Sequence, residues 1–306
     1  MKSHYPIHKD LKSVSKITPP LYKPLLPILS AGMKVMFPCK SDAKIAVKKY
    51  KVPGYEGVEI PVYVMEPKKH KNEKLPCLVL FHGGGFVFRA SKAHYQIAKE
   101  YAWRVPCKVV YTDYRLLPKH LFPVAVEDCF ATYQWTLAQA EKLRIDSERI
   151  YIGGDSAGGN LAIAVTLMAR DRNLPLPKKE VLIYPVTDRR MLTESMKKYV
   201  DTPVWNALLT AKMWKWYLGN GEPVHIEYAS PMEAETLKSF PATYMEVAEY
   251  DCLRDEGIEF ANRLKEECVQ VELHEVKQAC HGFETVVKSS LSKAAMERRV
   301  QFLINQ

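Results

Sequence analysis

The stretch RIYIGGDSAGGNL, residues 149–161, decides the reading of this chain. It opens on three apolar residues of strand character, Ile150, Tyr151 and Ile152. It then turns through Gly153-Gly154-Asp155-Ser156-Ala157-Gly158-Gly159 and runs on into an apolar, helix-like segment, 161–169. A G-x-S-x-G turn between a strand and a helix is a nucleophile elbow: the bend forces the serine into a strained backbone conformation and lifts its hydroxyl clear of the sheet. Gly154 and Gly158 are needed because a side chain at either position would collide across the bend. The helix that follows directs its N-terminal dipole toward the serine and favours negative charge there.

Strand-like runs extend on both sides of this turn, at 59–65, 75–81, 108–114, 149–152, 179–186, 242–248 and 271–276. Most are short, continuous and rich in Val, Ile, Leu and Tyr, as strands buried on both faces are. Helix-period segments at 93–103, 123–143, 161–170 and 257–267 lie between them. This alternation predicts an α/β fold, a mostly parallel central sheet flanked by helices. Residues 189–230 break the pattern, holding Trp205, Trp214, Trp216 and Tyr217 but no good strand. They are expected to form an insertion that joins residues 1–50 in a helical cap over the carboxyl ends of the strands, where sites in such sheets lie; the plainer alternative is the aromatic face of a core helix. Five prolines, Pro19, Pro20, Pro24, Pro27 and Pro38, favour short helices over sheet in residues 1–50. With no internal repeat and no low-complexity linker, residues 1–306 read as a single domain with a cap.

The 306 residues carry a net charge of +9, and 47% are hydrophobic, ample for a core. The excess charge is local, because residues 1–51 contain eleven Lys against only Asp10 and Asp42. The lysines are dispersed, so a solvated surface is the simplest reading; attraction to an anionic surface is the other. Seven cysteines without paired spacing predict free thiols in a reducing, cytoplasmic compartment, with Cys39, Cys77, Cys107 and Cys129 packing as small apolar groups. The apolar run 25–37 is interrupted by Pro27 and Lys34, is too short to span a bilayer and begins too late for an ordinary secretory signal. No nucleic-acid partner and no stable membrane insertion are expected, and a homodimer is compatible with the sequence.

A serine hydroxyl needs a base, and the base an orienting acid. Among nine histidines His281 stands out, in a Cys280-His281-Gly282-Phe283 loop after the last strand, and it falls last in the chain order Ser, acid, His. His4, His8, His70, His94, His120, His225 and His274 read as surface or structural residues. Asp251, just past the strand 242–248, leads as the acid. Asp188, after the preceding strand, and Asp255, whose place before 257–267 suits a helix cap or first turn, are its competitors. The run Phe81-His82-Gly83-Gly84-Gly85-Phe86 ends the strand 75–81, and its glycines let backbone N–H groups turn inward close to a substrate. With the N–H of Ala157 they would form an oxyanion hole. A phosphate cradle is the weaker reading, since neither G-x-G-x-x-G nor Gly-Lys-Ser/Thr is present. His82 reads as shaping the loop through hydrogen bonds.

HGGGF (82–86), YRLLPKHLFP (114–123), GDSAGGN (154–160), DCLRDEG (251–257) and HGF (281–283) together resemble the hormone-sensitive-lipase family of carboxylesterases, in order over about residues 55–290. The resemblance implies an α/β-hydrolase fold with a helical cap, and a carboxylic ester hydrolase acting on short acyl esters. It places the nucleophile at Ser156, the acid at Asp251 and the base at His281, with Gly84, Gly85 and Ala157 as oxyanion donors. His82, Gly83, Phe86 and Asp155 are expected beside the substrate. Three positions depart from the family: Cys252 replaces a proline, Lys119 a glutamate and Gln278 a glycine, none of them a reacting group. Cys252 and Cys280 flank acid and base, and their pairing under oxidation is a hypothesis that thiol counting after mild oxidant would test. No cofactor is expected, and no Cys/His cluster has zinc spacing, so no metal. An interfacial lipase acting on longer chains and a non-catalytic ligand-binding protein on the same fold are the alternative functions.

Overall fold

The computed structural model describes residues 5–305; His4 and the first residues of the expected cap lie outside them. Eight strands form one sheet: β1 Ile45–Pro53, β2 Glu59–Pro67, β3 Leu75–Phe81, β4 Lys108–Thr112, β5 Ile145–Asp155, β6 Lys179–Ile183, β7 Ala242–Tyr250 and β8 Val271–Cys280. Their order is β1-β2-β4-β3-β5-β6-β7-β8. β2 runs antiparallel to both β1 and β4, and every other neighbouring pair is parallel. The helices are α1 Leu26–Met36, α2 Lys92–Arg104, α3 Val124–Ala138, α4 Ala157–Asp171, α5 Glu194–Lys198, α6 Ala207–Leu218, α7 Arg254–Glu266 and α8 Ser290–Ile304.

Alternation along the strands divides the core. Cys77, Val79 and Phe81 of β3 pack with α3, α4 and α7, while Leu78 and Leu80 face α2 and α8 on the other side. The central strands are therefore apolar throughout, which is why they read as continuous runs. β6 stops short of the expected 186 because Tyr184 takes a positive φ of 36° and Pro185 follows.

Residues 45–50 correct the sequence reading. They were expected in the short helices of a cap but belong to β1, paired with β2 from Ile45↔Pro67 to Pro53↔Glu59. Their alternation is masked by Lys48, Lys49 and Lys51, whose exposed side chains suit an edge strand by discouraging further pairing. Tyr50, on the covered face, packs against Trp135 of α3 at 5.2 Å.

Residues 189–230 contain no strand, and α5 and α6 lie within them. Trp205, Trp214, Trp216 and Tyr217 are buried in the same apolar cluster as α3 and α4. The stretch is tied to three places. Asn160 of α4 donates to the carbonyls of Val186 (2.9 Å) and Ala229 (2.8 Å). Val204 N–H donates to Ile17 O (2.6 Å), and Lys212 Nζ donates to Leu21 O (2.7 Å). Tyr217 of α6 stacks on Phe86 at 3.9 Å, a contact worth about 0.5–1.5 kcal/mol beyond area burial. Among the described residues no helix is long and apolar enough to cross a membrane.

Three buried carboxyls sit under the sheet's covering helices in two different settings. Glu246 of β7 and Glu284 both pair with Arg299 of α8, which fastens the last helix to the loop after β8. Removing one member of such a buried set typically destabilises by about 3–5 kcal/mol. Glu180 of β6 has no cation: Thr166 Oγ1 donates to one oxygen at 3.2 Å and the other is unpartnered. Burial therefore pushes its pKa from 4.5 up to about 8. Between those two values the unfolded chain has lost a proton the folded protein keeps, so stability falls as pH rises from 4.5 to about 8. Glu180→Gln removes this dependence. Thermal melts should show a gain on the order of a few kcal/mol at pH 8 and little or none at pH 4.5; an equal effect at both would mean the carboxyl is ionised in the fold.

Candidate active site

Four segments arrive at one edge of the sheet because β3, β5, β7 and β8 are parallel and each ends there. β5 ends in the elbow. Ser156 has φ 54° and ψ −120°, an uncommon conformation for a residue with a side chain, as the G-x-S-x-G reading requires. A Cβ on Gly158 would come 2.6 Å from the Phe81 carbonyl carbon and 2.7 Å from that of His82, and one on Gly154 would run into the backbone of Gly158. The backbones thus pack where only glycine fits, and Ser156 is held by N–H donation to Ile183 O at 2.8 Å.

His281 follows β8, and its Nε2 lies 2.9 Å from Ser156 Oγ. Its Nδ1 lies 2.7 Å from Asp251 Oδ2, at the end of β7. A carboxylate can only accept, so Nδ1 carries the proton and Nε2 offers its lone pair to the serine hydroxyl. The other oxygen of Asp251 accepts from Leu253 N–H at 3.0 Å. All three side chains are nearly closed from solvent, Ser156 2%, Asp251 0% and His281 5% exposed. Of the competing acids, Asp188 pairs with Arg190 at 2.8 Å. Asp255 stands in the first turn of α7, bound to Arg254 and to Ser195 N–H (both 2.7 Å). Neither contacts His281.

The glycine loop lies between β3 and α2. Gly84 and Gly85 have φ of 112° and 60°, and a Cβ on Gly84 would fall 2.8 Å from Phe88 O. Among the described residues their N–H groups donate to no protein acceptor, and Ala157 N–H is the first of helix α4, which has no intrahelical acceptor. The ring of Trp205 occupies the place where a Gly85 side chain would stand, and lies 6.3 Å from the His281 ring; Tyr184 approaches that imidazole at 4.5 Å.

The remaining sequence-predicted residues support this loop from behind. His82 is buried, stacked on Tyr114 at 4.4 Å, and its Nδ1 donates to Gly83 O at 2.7 Å. Burial, with His94 nearby, lowers its pKa to about 3, so it is neutral. The Phe86 ring is stacked on Tyr217. Asp155 accepts from Gly83 N–H at 3.0 Å through Oδ1, while its Oδ2 lies 3.4 Å from His94 Nε2. His94, read from sequence as surface or structural, thus joins the back of the loop. Ser91, which precedes α2, meets its Nδ1 through both N–H (3.0 Å) and Oγ (2.8 Å). No sequence signal marks this pair, whose members are 61 positions apart. Gln278, where the family resemblance expects glycine, holds φ 57°, the left-handed region glycine favours. Bonds on both sides fix it, from Gln278 N–H to Glu249 (2.7 Å) and from His8 N–H to Gln278 O (2.9 Å). Cys252 and Cys280 are unpaired and buried; burial raises both thiols, Cys280 to about 12, and keeps them protonated.

A family model described as alpha/beta hydrolase fold matches residues 78–285. The esterase LipI of Mycobacterium tuberculosis is 35% identical over 210 residues, 68% of this chain and 65% of its own length. An arylesterase of Saccharolobus solfataricus is 33% identical over 235 residues, 74% of each chain. The solved structure of a bacterial heroin esterase superposes with a TM-score of 0.88 at 32% identity, covering 97% of both chains.

Burial alone would lower the His94 pKa, but the charge and hydrogen bond of Asp155 outweigh it and the net shift is upward. The stabilisation this gives is complete below the imidazole's ordinary 6.5 and declines as pH rises through the raised value. Asp155→Asn keeps an acceptor for Gly83 N–H and removes the charge. NMR titration of the His94 ring should then show its pKa falling below 6.5; an unchanged value would mean Asp155 does not set it.

Proposed function

This chain belongs to the hormone-sensitive-lipase-like family of alpha/beta hydrolases and is a carboxylic ester hydrolase, and on that footing we propose that it cleaves small, short-acyl esters through an acyl-enzyme on Ser156. The observation that carries this reading is the buried line from Asp251 through His281 to Ser156, at 2.7 and 2.9 Å, beside backbone amides without acceptors.

Ser156 Oγ attacks the ester carbonyl as its proton passes to His281 Nε2. Asp251, already bonded to Nδ1–H, stabilises the imidazolium that forms. The charge developing on the carbonyl oxygen is taken by the N–H groups of Gly84, Gly85 and Ala157, where each donor of such a set is worth about 3–4 kcal/mol of barrier. Collapse breaks the bond to the alkoxy oxygen, which leaves with the proton from Nε2. Water enters by the same route, and the acid is released. His82, Gly83, Phe86 and Asp155 act here by shaping the loop that presents the amides.

In this reading residues 5–37 and 189–230 form a cap on a single α/β-hydrolase domain. The bonds from Val204 to Ile17 and from Lys212 to Leu21 support it, as does the Phe86–Tyr217 stack. The ring of Trp205, packed against Gly85 and 6.3 Å from the His281 ring, stands beside the reacting groups, and in this reading it limits the acyl chain to a short one. Seven unpaired cysteines favour work in a reducing cytoplasm.

Nitrophenyl esters from acetate to dodecanoate, compared by kcat/KM, test the proposal. We expect the maximum among the shortest chains, no turnover by Ser156→Ala, and a loss on the order of 10⁶ in kcat for His281→Ala. Trp205→Ala should move the optimum toward longer chains. Retained turnover in Ser156→Ala, or rates that climb steadily to dodecanoate in the natural protein, would contradict the assignment.

A further inference from the structure

We propose that helix α1, with the basic segment around it, is a docking surface for an anionic lipid membrane. The sequence contains no acid between Asp10 and Asp42, while Lys12, Lys16, Lys23, Lys34 and Lys40 fall in that interval. The structure gives this charge a shape. α1 is held by its inner side: Leu26 is buried, and Ser30 Oγ accepts from Arg89 Nε at 2.9 Å. Arg89 pairs with Asp113 beneath, just beyond the glycine loop. Lys23, at the foot of the helix, lies over the Trp216 ring at 5.1 Å.

The outer side is apolar, the reverse of an ordinary surface helix. Leu25, Ile28, Leu29, Val35 and Met36 recur at the spacing of one helical face, and all five are exposed, Ile28 by 70% and Val35 by 83%. An exposed apolar stripe of this kind marks an interaction surface rather than scatter. It ends at a groove of about 470 Å³ between α1 and α2, lined by Met36, Phe37, Lys40, Lys92 and Tyr95 among others. Within that groove Lys99 is paired with Asp42, whereas Lys40 and Lys92 have no carboxylate partner among the described residues. An apolar ridge beside Lys40 and Lys92, neither of them paired with a carboxylate among the described residues, matches the two layers of an anionic membrane, acyl region beneath and phosphate headgroups at the sides. The lysine stems can lie along the apolar face while their ammonium groups reach the headgroups. A second copy of this chain fits less well, because twofold pairing of the ridge would bring the same lysines of both copies together.

This inference does not rest on the catalytic reading, and its readout is binding. The full chain is sedimented with vesicles of phosphatidylcholine, alone or mixed with phosphatidylglycerol. We expect at least about tenfold stronger partition onto the anionic vesicles, lost at high salt. The triple substitution Ile28→Ser, Leu29→Ser, Val35→Ser preserves charge and should weaken that binding at least about tenfold. Its thermal melt and its hydrolysis of a soluble ester should be unchanged, since none of these side chains is in the core. Absence of binding to anionic vesicles, or binding that the triple substitution leaves intact, overturns the proposal. So does concentration-dependent dimerisation abolished by the same substitution, which would give the face to a second copy.

Discussion

The contact of the β5–α4 bend with the end of β3 is the constraint from which the site follows. Gly158 lies so close to the carbonyl carbons of Phe81 and His82 that no side chain could stand between them. That closeness puts Ser156 beside the loop that leaves β3, and it forces Ser156 to φ 54°. A residue so placed costs about 1–3 kcal/mol. The helix behind it offsets this: α4 is buried from Ala157 to Ala169, so the bend is held by a core that cannot form without it. Strain at one residue is thereby converted into a fixed position for one hydroxyl.

Around that hydroxyl the structure repeats one device, an imidazole fixed by a carboxylate, at two depths. Asp251 holds His281 toward Ser156, and Asp155 faces His94 while also accepting from Gly83 N–H. The first pair presents a lone pair to the Ser156 hydroxyl. The second braces the glycine loop from the side away from it. Behind both, Arg299 joins Glu246 of β7 to Glu284, three residues past His281, so the loop bearing His281 is anchored to the strand that leads to Asp251. The left-handed Gln278 belongs to the same region: the β7–β8 register shifts between Ala248 and Tyr250, and the bonds of Gln278 to Glu249 and His8 hold this strained irregularity of β8 just before His281.

Much of this was legible in the chain. Gly154, Ser156 and Gly158 announce a bend because no other residues satisfy its sterics, and the continuous apolar strands announce a sheet covered on both faces. Asp251 and His281 could be placed because each follows one of the last two strands and the two fall in the chain order Ser, acid, His. What escaped reading depended on distance or on mixed signals. β1 was hidden because an edge strand's lysines interrupt the alternation by which strands are recognised. His94 was hidden because its partner, Asp155, is near only after folding. The same holds for Trp205, whose sequence neighbours say nothing of Gly85. The outward ridge of α1 was legible as an apolar run, 25–37, but periodicity alone does not tell which face of a helix the core will take.

The central claim is that His281, oriented by Asp251, activates Ser156 and no other nucleophile. It is tested most directly by treating the protein with an aryl phosphonate ester, following adduct formation by intact mass, and locating the adduct by peptide mass spectrometry. One phosphonyl group on the peptide containing Ser156, formed at least about a thousandfold more slowly in His281→Ala, is the result expected from this geometry. An adduct at any other residue, or modification of Ser156 at an undiminished rate without His281, would contradict it.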